Sequence, residues 1–71
     1  MRTKLTRQAD RMLDAASRLF AARHFHEVRM EDLAAEAGVG KGTLYRYFHT
    51  KDDLYLKLLE RAAEQYLARL R

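Results

Sequence analysis

Apolar residues recur at helical spacing over most of the chain, and the pattern breaks once, at a group of glycines. Ala9, Met12, Leu13, Ala16, Leu19 and Phe20 follow i, i+3, i+4, i+7 spacing, with Arg7, Arg11, Asp14 and Arg18 on the other side. This predicts a first helix from Thr6 to about Arg23, with the Thr6 hydroxyl as N-cap acceptor. His24 stands where a left-handed C-cap residue belongs, a place more often held by glycine. Phe25 and Val28 then turn back to the core. A second helix spans about Met30 to Ala37, with Met30, Leu33, Ala34 and Ala37 inward. Arg29 falls at its N-cap and offers no side-chain acceptor, but Asp32 can reach back to the Arg29 N–H as half of a capping box. Glu31 and Asp32 suit the positive end of the helix dipole.

Gly38 is free to take positive φ and end that helix. Val39 plugs the corner, Gly40 serves as the next N-cap, and small Ala34 lets the two flanking helices pack closely at a helix-turn-helix angle. The third helix, 41–48, is very short. At about 100° per residue, Leu44 and Phe48 share one face and Arg46 points away from them. The outward rim holds Lys41, Gly42, Thr43, Tyr45, Arg46 and Tyr47. A two-turn helix buries too little to stand for its own sake, so the rim calls for a reason. Arg and Lys reach phosphates or guanine edges, and a Thr methyl or Tyr ring meets a thymine methyl. Gly42 costs roughly 0.5–1 kcal/mol against alanine inside a helix, which points to a close approach there.

Thr50 caps a fourth helix, with Asp53 completing a capping box. Leu54 and Leu58 close the three-helix core. Tyr55, Leu59, Ala62, Ala63, Tyr66 and Leu70 form a second stripe with nothing left in the chain to cover it. The pattern therefore predicts an all-α fold: a three-helix, homeodomain-like helix-turn-helix bundle plus a longer fourth helix. Residues 1–5 read as a mobile basic arm, 6–54 as the head and 55–71 as a linker helix.

Composition narrows the function. The 71 residues, without proline or cysteine, make one domain with a modest core. No apolar run approaches the roughly 18 residues of a spanning helix. The absence of cysteine fits a reducing cytoplasm. The net charge is +4. Positions 1–9 and 41–51 carry bases without acids, whereas in residues 27–36 Glu27, Glu31, Asp32 and Glu36 outweigh Arg29. Such a polarised footprint is what a phosphate backbone selects. Enzymatic chemistry has no foothold. His24 and His26 do not share a helical face, and a zinc site would need carboxylates such as Glu27. Asp52 and Asp53 read as helix caps, His49 as solvent-facing or near phosphate. The glycine cluster lacks the strand and spacing of a phosphate loop.

The residues Leu13-Asp14-Ala15-Ala16, Leu19-Phe20-Ala21, Phe25, Asp32-Leu33-Ala34, Ala37-Gly38-Val39, Lys41-Gly42-Thr43-Leu44-Tyr45, Tyr47-Phe48 and Lys51-Asp52-Asp53-Leu54 resemble the DNA-binding domain of the TetR (tetracycline-repressor) family of bacterial transcription regulators. The resemblance implies a third helix in the major groove and a fourth leading to a ligand-binding, dimerising domain. It implies that Lys41, Gly42, Thr43, Tyr45, Arg46 and Tyr47 face DNA, that Lys51 grips a phosphate, and that Arg29 and Met30 touch the backbone. Three positions depart from the family pattern: Gly40 replaces a Ser or Thr cap, Arg29 a Thr, and His24 a Gly. The chain is also short, as an excised head or a naturally short relative would be.

The expected function is sequence-specific double-stranded DNA binding by a cytoplasmic, nucleoid-associated regulator, a repressor in sense, on a palindromic operator. No cofactor or membrane is involved. A homodimer is expected when the regulatory domain is present, and a monomer or weak self-association for this chain. The competing reading is a helical interaction module that uses the apolar stripe of the fourth helix.

Overall fold

The computed structural model describes residues 7–70. Among them are four α-helices and one 3-10 turn: α1 Arg7–Ala22, the turn Phe25–Glu27, α2 Met30–Ala37, α3 Lys41–Tyr47 and α4 Lys51–Arg69. The chain is all-α, a helix-turn-helix bundle with a longer fourth helix. The predicted basic arm and the Thr6 cap lie outside the described residues.

The core is one cluster fed by every helix. Ala9, Met12, Leu13 and Ala16 come from α1, Val28 from the turn, Leu33 and Ala34 from α2, Leu44 and Phe48 from α3 and its end, and Leu54 from α4. Leu19, Phe20, Met30, Ala37, Val39 and Leu58 pack around it. These are the positions the helical spacing marks as inward. Ala15, fully buried, is one the spacing missed; a methyl group fits where the α1 face turns toward its neighbours.

The joint between α1 and α2 departs from expectation. His24 is extended (φ −70°, ψ 152°), not left-handed, and opens the 3-10 turn. Glu27 makes this possible: its Oε1 accepts the His24 N–H at 3.1 Å. No residue other than glycine has positive φ among the described residues. At the start of α2, Asp32 Oδ2 accepts the Arg29 N–H at 3.1 Å, the half capping box expected there. Salt bridges Arg18–Glu36 (2.9 Å) and Arg23–Asp32 (3.4 Å) tie α1 to α2 along their exposed edges.

The turn into α3 is closed by a Schellman pair. Val39 N–H bonds to Ala34 O at 3.0 Å and Gly38 N–H to Ala35 O at 3.1 Å. Gly38 sits at φ 74°. A Cβ built on it meets nothing within 4 Å. The glycine is thus required by backbone conformation and not by close helix packing. At α4, Thr50 Oγ1 accepts the Asp53 N–H at 3.0 Å; of the predicted reciprocal pair, this is the bond that forms.

Tyr55 does not belong to an uncovered stripe. Its ring meets Phe20 and Phe25 edge-on at 5.1 and 5.0 Å, and those two stack at 5.5 Å. The 3-10 turn brings Phe25 across to α4, which spacing within α4 does not reveal. Farther along, Arg61 reaches Asp14 at 3.0 Å and Asp10 at 3.5 Å on α1. The stripe that stays exposed is Leu56, Leu59, Tyr66, Leu67 and Leu70. The division at residue 54 falls inside a continuous helix.

Three substitutions test this framework. Leu44→Ala should cost about 2–5 kcal/mol in chemical denaturation, as a fully buried side chain does when truncated. Gly38→Ala should cost roughly 1–2 kcal/mol through its left-handed backbone alone, while Gly40→Ala, at φ −73°, should be close to neutral. Equal effects at the two glycines would contradict the turn geometry.

Candidate nucleic-acid interface

α3 is only seven residues long, and Gly40 starts it without a side-chain cap. A helix of this length has no independent stability in water. Leu44 is fully buried and Phe48 nearly so, and these two set which way the remaining side chains point. Lys41, Gly42, Tyr45, Arg46 and Tyr47 are exposed and Thr43 is half-buried. One short helix thus presents six of the predicted site residues on a common surface.

Each has a definable setting. Tyr45 and Tyr47 expose about two fifths of their surface (41% and 36%), much for aromatic rings. A Cβ placed on Gly42 would meet no atom within 4 Å. Nothing inside the fold therefore demands glycine there, and the space it leaves open lies outside the protein. Arg46 has no partner among the described residues. The Tyr47 hydroxyl donates to Gln8 Oε1 of α1 at 3.0 Å. Gln8, Thr43, Arg46 and Tyr47 line an open cleft of about 320 Å³.

The charge pattern differs from the segregated one that sequence order suggests. Glu31 lies 3.6 Å from Arg29 and 3.7 Å from Lys41, one carboxylate between two of the predicted DNA-facing cations. It joins Arg29 on the α2 side to the start of α3. Exposed pairs at such distances contribute at most about 1 kcal/mol, so both cations can exchange Glu31 for another anion cheaply.

Lys51 stands apart from this group. Its ammonium donates to Phe25 O at 2.7 Å and to Val28 O at 2.8 Å, and lies 4.3 Å from the Phe25 ring centroid. Two of its three donors are committed to the protein. Lys51 fastens the start of α4 to the 3-10 turn, and its third donor is uncommitted among the described residues.

Sequence reasoning missed Gln8 and the bridging place of Glu31. A neutral amide on the polar side of α1 carries no signal, and Glu31 had read as a partner of the helix dipole only. It also separated His24 and His26, whose rings lie parallel with centroids 5.8 Å apart, His24 being the extended residue that precedes the 3-10 turn. No group of three or more His, Cys, Asp or Glu is placed to hold a metal among the described residues.

The chain matches the family model of bacterial regulatory proteins, tetR family, over residues 12–58. It belongs to that family, and the matched stretch takes in the helix-turn-helix of α2 and α3. Among its relatives is the HTH-type transcriptional activator FasR of Mycolicibacterium smegmatis, 38% identical over 84% of this chain and 27% of FasR. The fatty acid metabolism regulator protein of Bacillus subtilis is 32% identical over 83% of the chain and 30% of that protein. The HTH-type transcriptional regulator UidR of Escherichia coli is 31% identical over the whole chain and 36% of UidR. The chain thus spans about a third of the length of such relatives. No solved structure matches it.

Gly42→Ala separates fold from interface. It should raise stability by roughly 0.5–1 kcal/mol, since alanine is the better helix former and nothing clashes, yet weaken duplex binding. A variant that gains stability and keeps full binding would show that nothing approaches this position. Lys51→Met should lower stability by about 1–3 kcal/mol by leaving the Phe25 and Val28 carbonyls without their charged donor, measured by thermal denaturation. An unchanged unfolding midpoint would show the clamp to be idle.

Proposed function

We propose that the domain reads double-stranded DNA by sequence, with α3 in the major groove. The observation that carries this is the pairing of two buried anchors, Leu44 and Phe48, with an exposed rim of cations and phenols. The rim is broken by a glycine that the fold itself does not need. Lys41, Thr43, Tyr45 and Arg46 meet base edges. Arg29 and the remaining Lys51 donor hold phosphates and set the register, while Tyr47, its hydroxyl donated to Gln8, lines the same surface with its ring. Glu31 gives up Arg29 and Lys41 as phosphates arrive.

A single head makes half the contacts of a dimer, so binding by this chain is weak and falls with salt at a log–log slope near −0.9 per phosphate neutralised. In a longer protein, two heads on one palindromic operator place their recognition helices about 34–36 Å apart or a multiple of it, and effective concentration raises affinity. Head 6–54 and linker helix 55–71 are the working division within such a regulator. Its action by occupancy of DNA would be repression in the cytoplasm, although FasR is named an activator. Leu56, Leu59, Tyr66, Leu67 and Leu70, 48–67% exposed, support a second and compatible role for α4 in protein association.

Selection from random duplexes at two salt concentrations tests the reading. A palindromic winner with half-sites one turn apart is expected. Equal recovery of all sequences would reduce the domain to a non-specific basic module. The double substitution Tyr45→Ala with Arg46→Ala should abolish the gel shift and leave oligomeric state unchanged. Persistence of the shift would remove α3 from the interface.

A further inference from the structure

We propose that Gln8, in the first turn of α1, is a positioning residue for the reading surface. It fixes the Tyr47 phenol and aims its own amide N–H groups at a duplex phosphate. The inference rests on the DNA-binding reading above and extends the surface to α1.

Tyr47 is the last residue of α3, so the hydrogen bond to Gln8 closes α3 onto the start of α1, 39 residues away. With Oε1 occupied by the tyrosine hydroxyl, the Gln8 Nε2 keeps two N–H donors, and these have no partner among the described residues. The cleft between Gln8, Thr43, Arg46 and Tyr47 is open and about 320 Å³ in volume. A guanidinium, an amide and two hydroxyls line it, and no carboxylate does. Its hydrogen-bonding character is therefore mostly donor, with one fixed positive charge. An oxyanion suits that lining, and the oxyanion that lies beside a helix seated in a groove is a backbone phosphate. Arg46 is left for base edges and supplies the field, while the Gln8 amide makes the contact. Without Gln8, the exposed Tyr47 ring regains its rotamers and one wall of the cleft is lost.

Fluorescence anisotropy of the full chain against a pool of random 20-base-pair duplexes at low salt, with thermal denaturation alongside, tests the proposal. Gln8→Ala and Tyr47→Phe should each weaken binding about three- to tenfold, the size of one hydrogen bond. The double substitution should be no worse than either alone by more than about twofold, because both remove the same contact. Gln8→Glu keeps an acceptor for Tyr47 but puts a carboxylate toward phosphate, and should bind more weakly than Gln8→Ala. Both side chains are exposed, so unfolding midpoints should stay put. In the free protein, the Tyr47 ring resonances should move in Gln8→Ala and not in Gln8→Glu. Wild-type binding with an indifferent Gln8→Ala, or single effects that multiply in the double, would overturn the role of Gln8 alone. Failure of the wild-type chain to bind any duplex would overturn the DNA reading and this inference together.

Discussion

The insertion of Leu44 and Phe48 into a core shared with α1, α2 and α4 is the interaction on which the rest depends. α3 is too short to hold itself together. Its helical form, its axis and the outward direction of its polar residues all follow from two buried side chains one helical turn apart. The Schellman turn at Gly38 supplies the second constraint, because it fixes where α3 begins relative to α2. Anchors and turn together convert a seven-residue string of polar, aromatic and cationic groups into a surface of defined shape.

Local periodicity made much of this legible. The inward set of α1, the bounds of α2 and α3, the glycine with positive φ and the half capping box at Arg29 follow from spacing and backbone preference, which act within a few residues. The contacts that join distant segments did not follow. Lys51 reaches carbonyls 23 and 26 residues away, and Tyr47 reaches Gln8 at 39. A helical wheel says which side a residue occupies and nothing about what waits there. The 3-10 turn shows the same limit. His24 looked like a C-cap because a helix ends before it, but the decisive partner was Glu27, whose carboxylate favours an extended residue. That turn then carries Phe25 to Tyr55 and removes Tyr55 from the exposed stripe.

The candidate site was legible as a set of residues and less so as an electrostatic object. Lys41, Gly42, Thr43, Tyr45, Arg46 and Tyr47 share a surface because they share a helix. Arg29 joins them through Glu31, an acid that sequence order assigns to another region. Lys51 is drawn the other way, since two backbone carbonyls, at the first residue of the 3-10 turn and just past its last, outcompete solvent for its ammonium. Charge counted along a chain locates a basic segment, whereas the partner of each cation is set by which helices meet.

The attachment of α4 has a mechanical consequence. Lys51 grips the 3-10 turn and Arg61 grips α1 through Asp10 and Asp14. At 1.5 Å per residue these fastenings lie about 15 Å apart along the helix axis. A rod pinned at one point swivels; a rod pinned at two resists torque. Whatever is joined beyond Arg61 therefore has no hinge at the base of α4, and a sideways load there turns the whole three-helix unit as one piece.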